Sequence, residues 1–421
     1  MTEETIEARL GRLRGDRLPM GGIGAREIEQ AARNGGCDRI HALLVLGVSP
    51  TVAEIDIYGG TAPAQSTFAV QKGSRFEDAL CRNGGDRLLA LYRGAGRLPR
   101  AEVSVVDISQ LIPRAASRRP TLPPAGATRE QRRAAARQRA TTVLGRRADL
   151  TLRYLRRRLS GDPDAPTMIV QGCLPLTILG RTYHIIPDLL VADAGARCYR
   201  VGEIKLYPDR GGRTALEDVR GASRQAAVGV VALRRVLLRE GQTAAAVTAL
   251  VPPQCDLILR AVDTMRATLR PRPIAAEVAD IERLIARAPG RAEAILSALA
   301  AAGIGGASAT IATPAVLDAI PARYDVVRCG LCALRDRCLD DARDAGDPVT
   351  LGSPVRDELA ALGTLPEILS MVDGARVARD AVEEARVCRL HDAQEAWQRA
   401  VAERGLARAT TPPGRRGGAA R

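Results

Sequence analysis

The stretch HIIPDLLVADAGARCYRVGEIKLY, residues 184–207, holds two β-rich runs separated by the turn signal DAGA. Glu203 and Lys205 are two residues apart on the second run, so a strand sends both side chains to one face. If the turn centres near Gly195–Ala196, antiparallel pairing sets Asp188 opposite about residue 203. Asp188, Glu203 and Lys205 then cluster. Two carboxylates with a nearby main-chain carbonyl suit a hard, oxygen-preferring cation such as Mg²⁺. Such an ion polarises a phosphodiester and lowers the pKa of a bound water. The plainer alternative is a cross-strand salt bridge on a solvated face. Pro187–Asp188 falls inside an apolar run, which argues against it.

The lysine stands out further. The chain has 62 Lys+Arg, and Lys72 and Lys205 are the only lysines. Arginine's planar fork prefers bidentate pairing, whereas lysine is a compact ammonium. A lysine kept among so many arginines marks a position that does not tolerate guanidinium.

The bulk numbers agree with a polyanion partner. The net charge is +14 over 421 residues, 46% are hydrophobic and only 2% aromatic. The core must therefore be built from Leu, Val, Ile and Ala. A basic excess of this size suits nucleic acid, through phosphate neutralisation. Few aromatics argue against extensive base stacking. No cofactor fingerprint for small-molecule chemistry and no helicase-type phosphate loop appear, so any unwinding would come from a partner. MTEETIEARLGRLRG at the start has acids and no apolar core, so no secretory signal is expected and the expected compartment is cytoplasmic. Residues 294–317 lack charge but are mostly small, which predicts a helix and loop rather than a membrane span.

Five segments are expected. Residues 1–112 form a helical lead-in, with 102–112 as a strand. Residues 113–147 form a basic linker and a helix capped by Thr128. Residues 148–255 form a mixed α/β core, with strands in 167–207, a helix over 214–241 closed by Gly241, and a further strand in AAAVTALVPP. Residues 256–400 are mostly helical, with VRDELAALGTLPEILSMV as two short helices joined through Gly363. Residues 401–421 form a disordered basic tail. His184, four residues before Asp188, falls on the same face if the strand is regular; core or surface packing is the simpler role for it.

CGLCALRDRC supplies Cys329, Cys332 and Cys338 in C-x2-C-x5-C spacing. In a reducing compartment such density points to zinc or iron–sulfur binding rather than disulfides. Cys173, Cys198, Cys255 and Cys388 read as ordinary thiols.

Asp188 after Pro187, followed by Glu203-x-Lys205 on the next strand, resembles the PD-(D/E)XK nuclease superfamily. The helix RQAAVGVVALR resembles the Q-x-x-x-Y motif of its RecB-like branch, with Gln225 matching and Gly229 in the Tyr position. KGSRFEDALCRNG resembles the first motif of that branch, with Glu77 as the match. The resemblance implies an α/β, restriction-endonuclease-like mixed sheet flanked by helices, with additional helical N- and C-terminal regions. It implies a Mg²⁺- or Mn²⁺-dependent deoxyribonuclease, with Glu77, Asp188 and Glu203 holding the metal and Lys205 and Gln225 assisting. In some RecB-like nucleases, one Cys before the core and three after it hold a 4Fe–4S cluster. The resemblance therefore implies Cys37 as fourth ligand to Cys329, Cys332 and Cys338, with Cys81 as runner-up and zinc as the alternative metal. The expected partner is DNA, single- or double-stranded, together with a helicase or defence-system protein. The rival reading is a nucleic-acid-binding scaffold subunit with a weak or inactive nuclease fold, which Gly229 favours.

Overall fold

The computed structural model describes residues 4–14, 23–61, 67–98, 103–113, 128–193, 197–262, 264, 266–304, 311 and 313–403. The expected linker (114–127), the centre of the DAGA turn (194–196) and most of the expected tail (404–421) lie outside them. The chain divides into two compact units: residues 1–323 with 331–334, and residues 324–330 with 335–421.

The first unit is mixed α/β. Its strands are β1 (Val105–Asp107), β2 (Met168–Val170), β3 (Leu174–Ile178), β4 (Arg181–Ile185), β5 (Leu189–Asp193), β6 (Cys198–Asp209), β7 (Gln254–Ala261) and β8 (Ala267–Pro273). Six form one sheet in the order β1-β2-β5-β6-β7-β8, while β3 and β4 pair separately. β2–β5, β5–β6 and β7–β8 are antiparallel, and β1–β2 and β6–β7 are parallel. The parallel β6–β7 step is bridged by the helix Leu216–Arg239, as a parallel crossover requires. That helix ends where Gly241 adopts φ +85°, as the sequence predicts.

One sheet face is covered by the helix Thr67–Gly94. Phe76, Leu80, Leu88 and Tyr92 pack against Met168, Val170, Leu189, Val191, Ile204 and Ile258. This helix breaks at residues 82–85, where Asn83, Gly84 and Gly85 are left-handed. The other face receives Leu216–Arg239. Gly229 lies at its closest approach: a Cβ there would stand 3.1 Å from Val201 Cγ1 and 3.5 Å from Pro187 Cβ. A side chain at this point would need Val201 to give way by a few tenths of an ångström. The helices Ala25–Arg33, Asp38–Leu46 and Ala275–Ala301 form a further layer against Leu216–Arg239 and one another. The β3–β4 hairpin is tied to that layer by Tyr183, whose hydroxyl donates to the Leu44 carbonyl at 2.6 Å.

The second unit contains the helices Arg335–Asp344, Ser353–Leu359, Leu365–Val372 and Ala381–Glu403. Leu359, Leu362, Ile368 and Met371 form its small core. The two short helices expected around Gly363 are present, and Gly363 has φ +103°. Among the described residues, no single helix is long and apolar enough to cross a membrane.

Several expected elements differ. Only residues 105–107 of 102–112 are strand, because the Asp107 carboxylate accepts from the N–H groups of Ser109 (2.8 Å) and Gln110 (3.3 Å) and starts a helical turn over Ile108–Leu111. AAAVTALVPP is not a strand. Thr243 Oγ1 caps the helix Ala244–Leu250 by accepting from Ala246 N at 3.2 Å, and the strand follows as β7. Residues 256–400 therefore begin with two strands, not helix. The helix after Thr128 runs on through Gly145 to Leu159, and the left-handed Gly161 follows its end. His184 and Asp188 do not share a regular strand, because β4 ends at Ile185 and β5 starts afresh in the other sheet.

Gly202 on β6 is where Tyr92 inserts. An added Cβ would lie 3.0 Å from Leu189 Cβ and 3.1 Å from Tyr92 Oη. Gly202→Ala is expected to cost about 1–3 kcal/mol of stability through overpacking, read by denaturant unfolding; an unchanged midpoint would mean that the helix and β6 can separate at no cost.

Candidate active site

Continuing the Leu189↔Gly202 register by one step sets Asp188 opposite Glu203, as the turn argument predicts. The backbone N–H of Ile204 donates to Asp188 Oδ2 at 2.7 Å, which fixes that carboxyl beside β6. Glu203 is buried and forms an ion pair with Lys205 Nζ. Glu77 arrives from the helix Thr67–Gly94, more than a hundred residues away in sequence. The side-chain amide of Gln171 joins the two sources: its Nε2 donates to Glu77 Oε1 at 2.5 Å and to Asp188 Oδ1 at 3.3 Å. Gln171 follows β2 directly and holds a left-handed backbone, φ +52°. Its N–H also donates to the Asp188 carbonyl at 2.9 Å.

Glu77, Asp188, Glu203 and Lys205 thus act on one another. Burial, followed by the neighbouring Asp188 carboxylate, pushes Glu77 and Glu203 up to about 7. Asp188 is raised by burial as well, although it keeps some solvent access. Lys205 moves the other way: burial opposes its charge, but Glu203 and Asp188 outweigh burial and hold the ammonium above its ordinary range. Three carboxyls with one ammonium leave an uncompensated negative excess in a poorly solvated place. Oxygen donors under that strain are the chemistry that a divalent cation relieves. Among the described residues, no three His, Cys, Asp or Glu side chains already stand as a ligand set. Lys205 takes up Glu203, and Gln171 spans Glu77 and Asp188.

Folded Glu77 and Glu203 hold protons that the unfolded chain releases near 4.5. Proton linkage then makes stability fall as pH rises from about 4.5 to about 7. Thermal unfolding in EDTA across that range should show this decline, and Glu203→Gln should flatten it. A wild-type melting temperature that climbs through the window would contradict the crowded-carboxyl arrangement.

Gln225 lies half-buried on Leu216–Arg239 and has no hydrogen bond to this cluster among the described residues; Gln171 does. A lone Gln before Gly172 gave no sequence signal of its role. A second buried acid, Asp256 on β7, was also missed. Its carboxyl is raised by burial, and it faces the Tyr92 hydroxyl, yet neither atom meets hydrogen-bond geometry.

None of the nine cysteines forms a disulfide. Cys37 precedes the helix Asp38–Leu46 and is half-buried. Cys329, on a 3₁₀ turn, and Cys338, on Arg335–Asp344, are buried in the second unit, and Asp325 N donates to Cys329 Sγ at 3.4 Å. Cys332 belongs to the first unit. Cys81 sits on the same helix as Glu77, and its thiol is pushed up to about 12 by burial and then by the Glu77 carboxylate.

Compared with protein-family models, curated proteins and solved structures, the chain matches none.

Proposed function

We propose that this chain is a metal-dependent DNA nuclease of the RecB-like, iron–sulfur kind, with a restriction-endonuclease-like core, acting in DNA repair, recombination or phage defence. The carrying observation is the meeting of Asp188, just before β5, and Glu203 and Lys205 on β6 with Glu77 from a distant helix. The mixed sheet, antiparallel across β2-β5-β6 and parallel across β6–β7, is compatible with that core.

Glu77, Asp188 and Glu203 would hold Mg²⁺ or Mn²⁺. When bound, the ion supplies Lewis-acid polarisation of the phosphodiester and a more acidic water. Lys205 contributes a fixed positive charge for a phosphoryl oxygen, held up by Glu203. Gln171 orients the Glu77 and Asp188 carboxyls. The arginine excess binds the phosphate backbone, with affinity that falls as salt rises. Cys37, Cys329, Cys332 and Cys338 would hold a 4Fe–4S cluster as a structural staple. Their thiols are the right donor class for it and equally for zinc.

The test is cleavage of labelled single- and double-stranded DNA with Mg²⁺, Mn²⁺ or EDTA. Cleavage with either ion and none in EDTA is expected. Tight DNA binding with no cleavage under any ion would favour the scaffold reading, which Gly229 in the Tyr position favours.

A further inference from the structure

β6 does not stop at the carboxylates. It continues to Asp209, with an irregularity between Lys205 and Pro208, and ends in the tight turn Arg210-Gly211-Gly212-Arg213. Arg210 N donates to Arg213 O at 3.1 Å and Arg213 N donates to Arg210 O at 3.2 Å. Gly211 and Gly212 have φ +61° and +94°, the left-handed geometry of the tightest hairpin turns. The turn is anchored from below. Asp209 is 3% exposed, and its carboxylate accepts from Gly212 N (2.8 Å), Thr268 Oγ1 (2.7 Å) and Arg270 Nε (2.9 Å). A buried charge is costly unless fully paired. Here it serves to hold an exposed turn rigid.

That turn presents two guanidinium groups. Arg210 and Arg213 are exposed, and neither has an ion-pair partner among the described residues. With Pro208, Thr214 and Ala215 they line a cleft of about 810 Å³. The registers Glu203↔Leu257↔Arg270 and Lys205↔Leu259↔Thr268 put the anchoring side chains on the sheet face of Glu203 and Lys205. Five residues separate Lys205 from Arg210. At about 3.3 Å per residue that is at most about 16 Å, or roughly five base pairs along duplex DNA at about 3.4 Å each. Arginine's planar fork matches phosphate oxygens bidentately.

We propose that Arg210 and Arg213, set by the Asp209-anchored glycine turn, form a clamp on the DNA phosphate backbone beside the carboxylate site and fix where the scissile bond falls. The proposal rests on the nuclease reading above.

The test uses the full chain and labelled DNA, with Ca²⁺ replacing Mg²⁺ to separate binding from cleavage. Arg210→Ala/Arg213→Ala should weaken binding about tenfold. The slope of log affinity against log salt should drop by roughly 1.4–1.8, two phosphate contacts' worth. Asp209→Asn keeps both arginines and should reproduce part of the loss and shift the cleavage positions seen with Mg²⁺. Arg210→Lys/Arg213→Lys should recover the salt slope, which guards against misfolding as the cause. Arg283→Ala/Arg287→Ala, exposed on Ala275–Ala301, removes the same charge elsewhere. Equal loss in that control pair would overturn the clamp, leaving only net charge. So would a wild-type protein that cleaves DNA alongside a double Ala variant with unchanged slope and cleavage positions. Failure of the wild type to bind DNA at all would instead remove the nuclease reading beneath it.

Discussion

Lys205→Arg is expected to abolish DNA cleavage, by at least about 10²–10³-fold, the usual effect of removing one fixed donor to developing charge. DNA binding should stay nearly intact, because 60 arginines are spread over the chain. The charge is preserved in this variant, so the loss isolates shape. Lys205 is half-buried, paired with a buried Glu203 and beside Asp188. A guanidinium is broader, and its fork would span Glu203 and Asp188 together, neutralising the carboxyls needed for a cation. Asp188→Ala, Glu203→Ala and Lys205→Ala should be equally inactive. Gln225→Ala should lower cleavage without unfolding the protein; Gln171→Ala should lower it too, by freeing Glu77 and Asp188 from their shared amide. Cleavage is read as initial rate and binding by anisotropy. A Lys205→Arg enzyme at wild-type rate would end the account of the retained lysine.

The second large effect concerns the cysteines. Protein purified without oxygen is expected to be brown and to carry iron and acid-labile sulfide in equal amounts. Cys329→Ala should bleach it and lower the melting temperature steeply, since ligand binding free energy is folding free energy in such sites, of order 10 kcal/mol for structural zinc. Linking Cys37 to Cys329 closes a loop of nearly 300 residues. On the chain-entropy model, a cross-link of that span removes about 5–6 kcal/mol of unfolded-state freedom. Colourless protein with one zinc per chain would replace iron by zinc at the same residues. Colour and stability kept in Cys37→Ala but lost in Cys81→Ala would move the fourth ligand. The Cys81 thiol, held protonated beside Glu77, makes Cys37 the better donor.

What the sequence by itself determined is local. Glu203 and Lys205 share a face because strand side chains alternate, and Asp188 meets Glu203 because a short hairpin leaves little freedom of register. The helix 216–239 was legible from its length and its closing glycine. The caps at Asp107 and Thr243 were equally local, and reading them would have shortened one expected strand and removed another. What only the tertiary structure decided is everything that depends on which element packs on which face. Gln171 reaches Glu77 across 94 positions because the helix Thr67–Gly94 lies over β2, β5 and β6. Asp209 finds Thr268 and Arg270 because β8 pairs beyond β7 at the sheet edge. Gly229 is glycine because the crossover helix touches Val201 there. Local backbone preferences act over a few residues and leave a mark in composition and spacing. Contacts between distant segments are chosen by the shared burial of whole faces, so their partners have no signature in either segment alone.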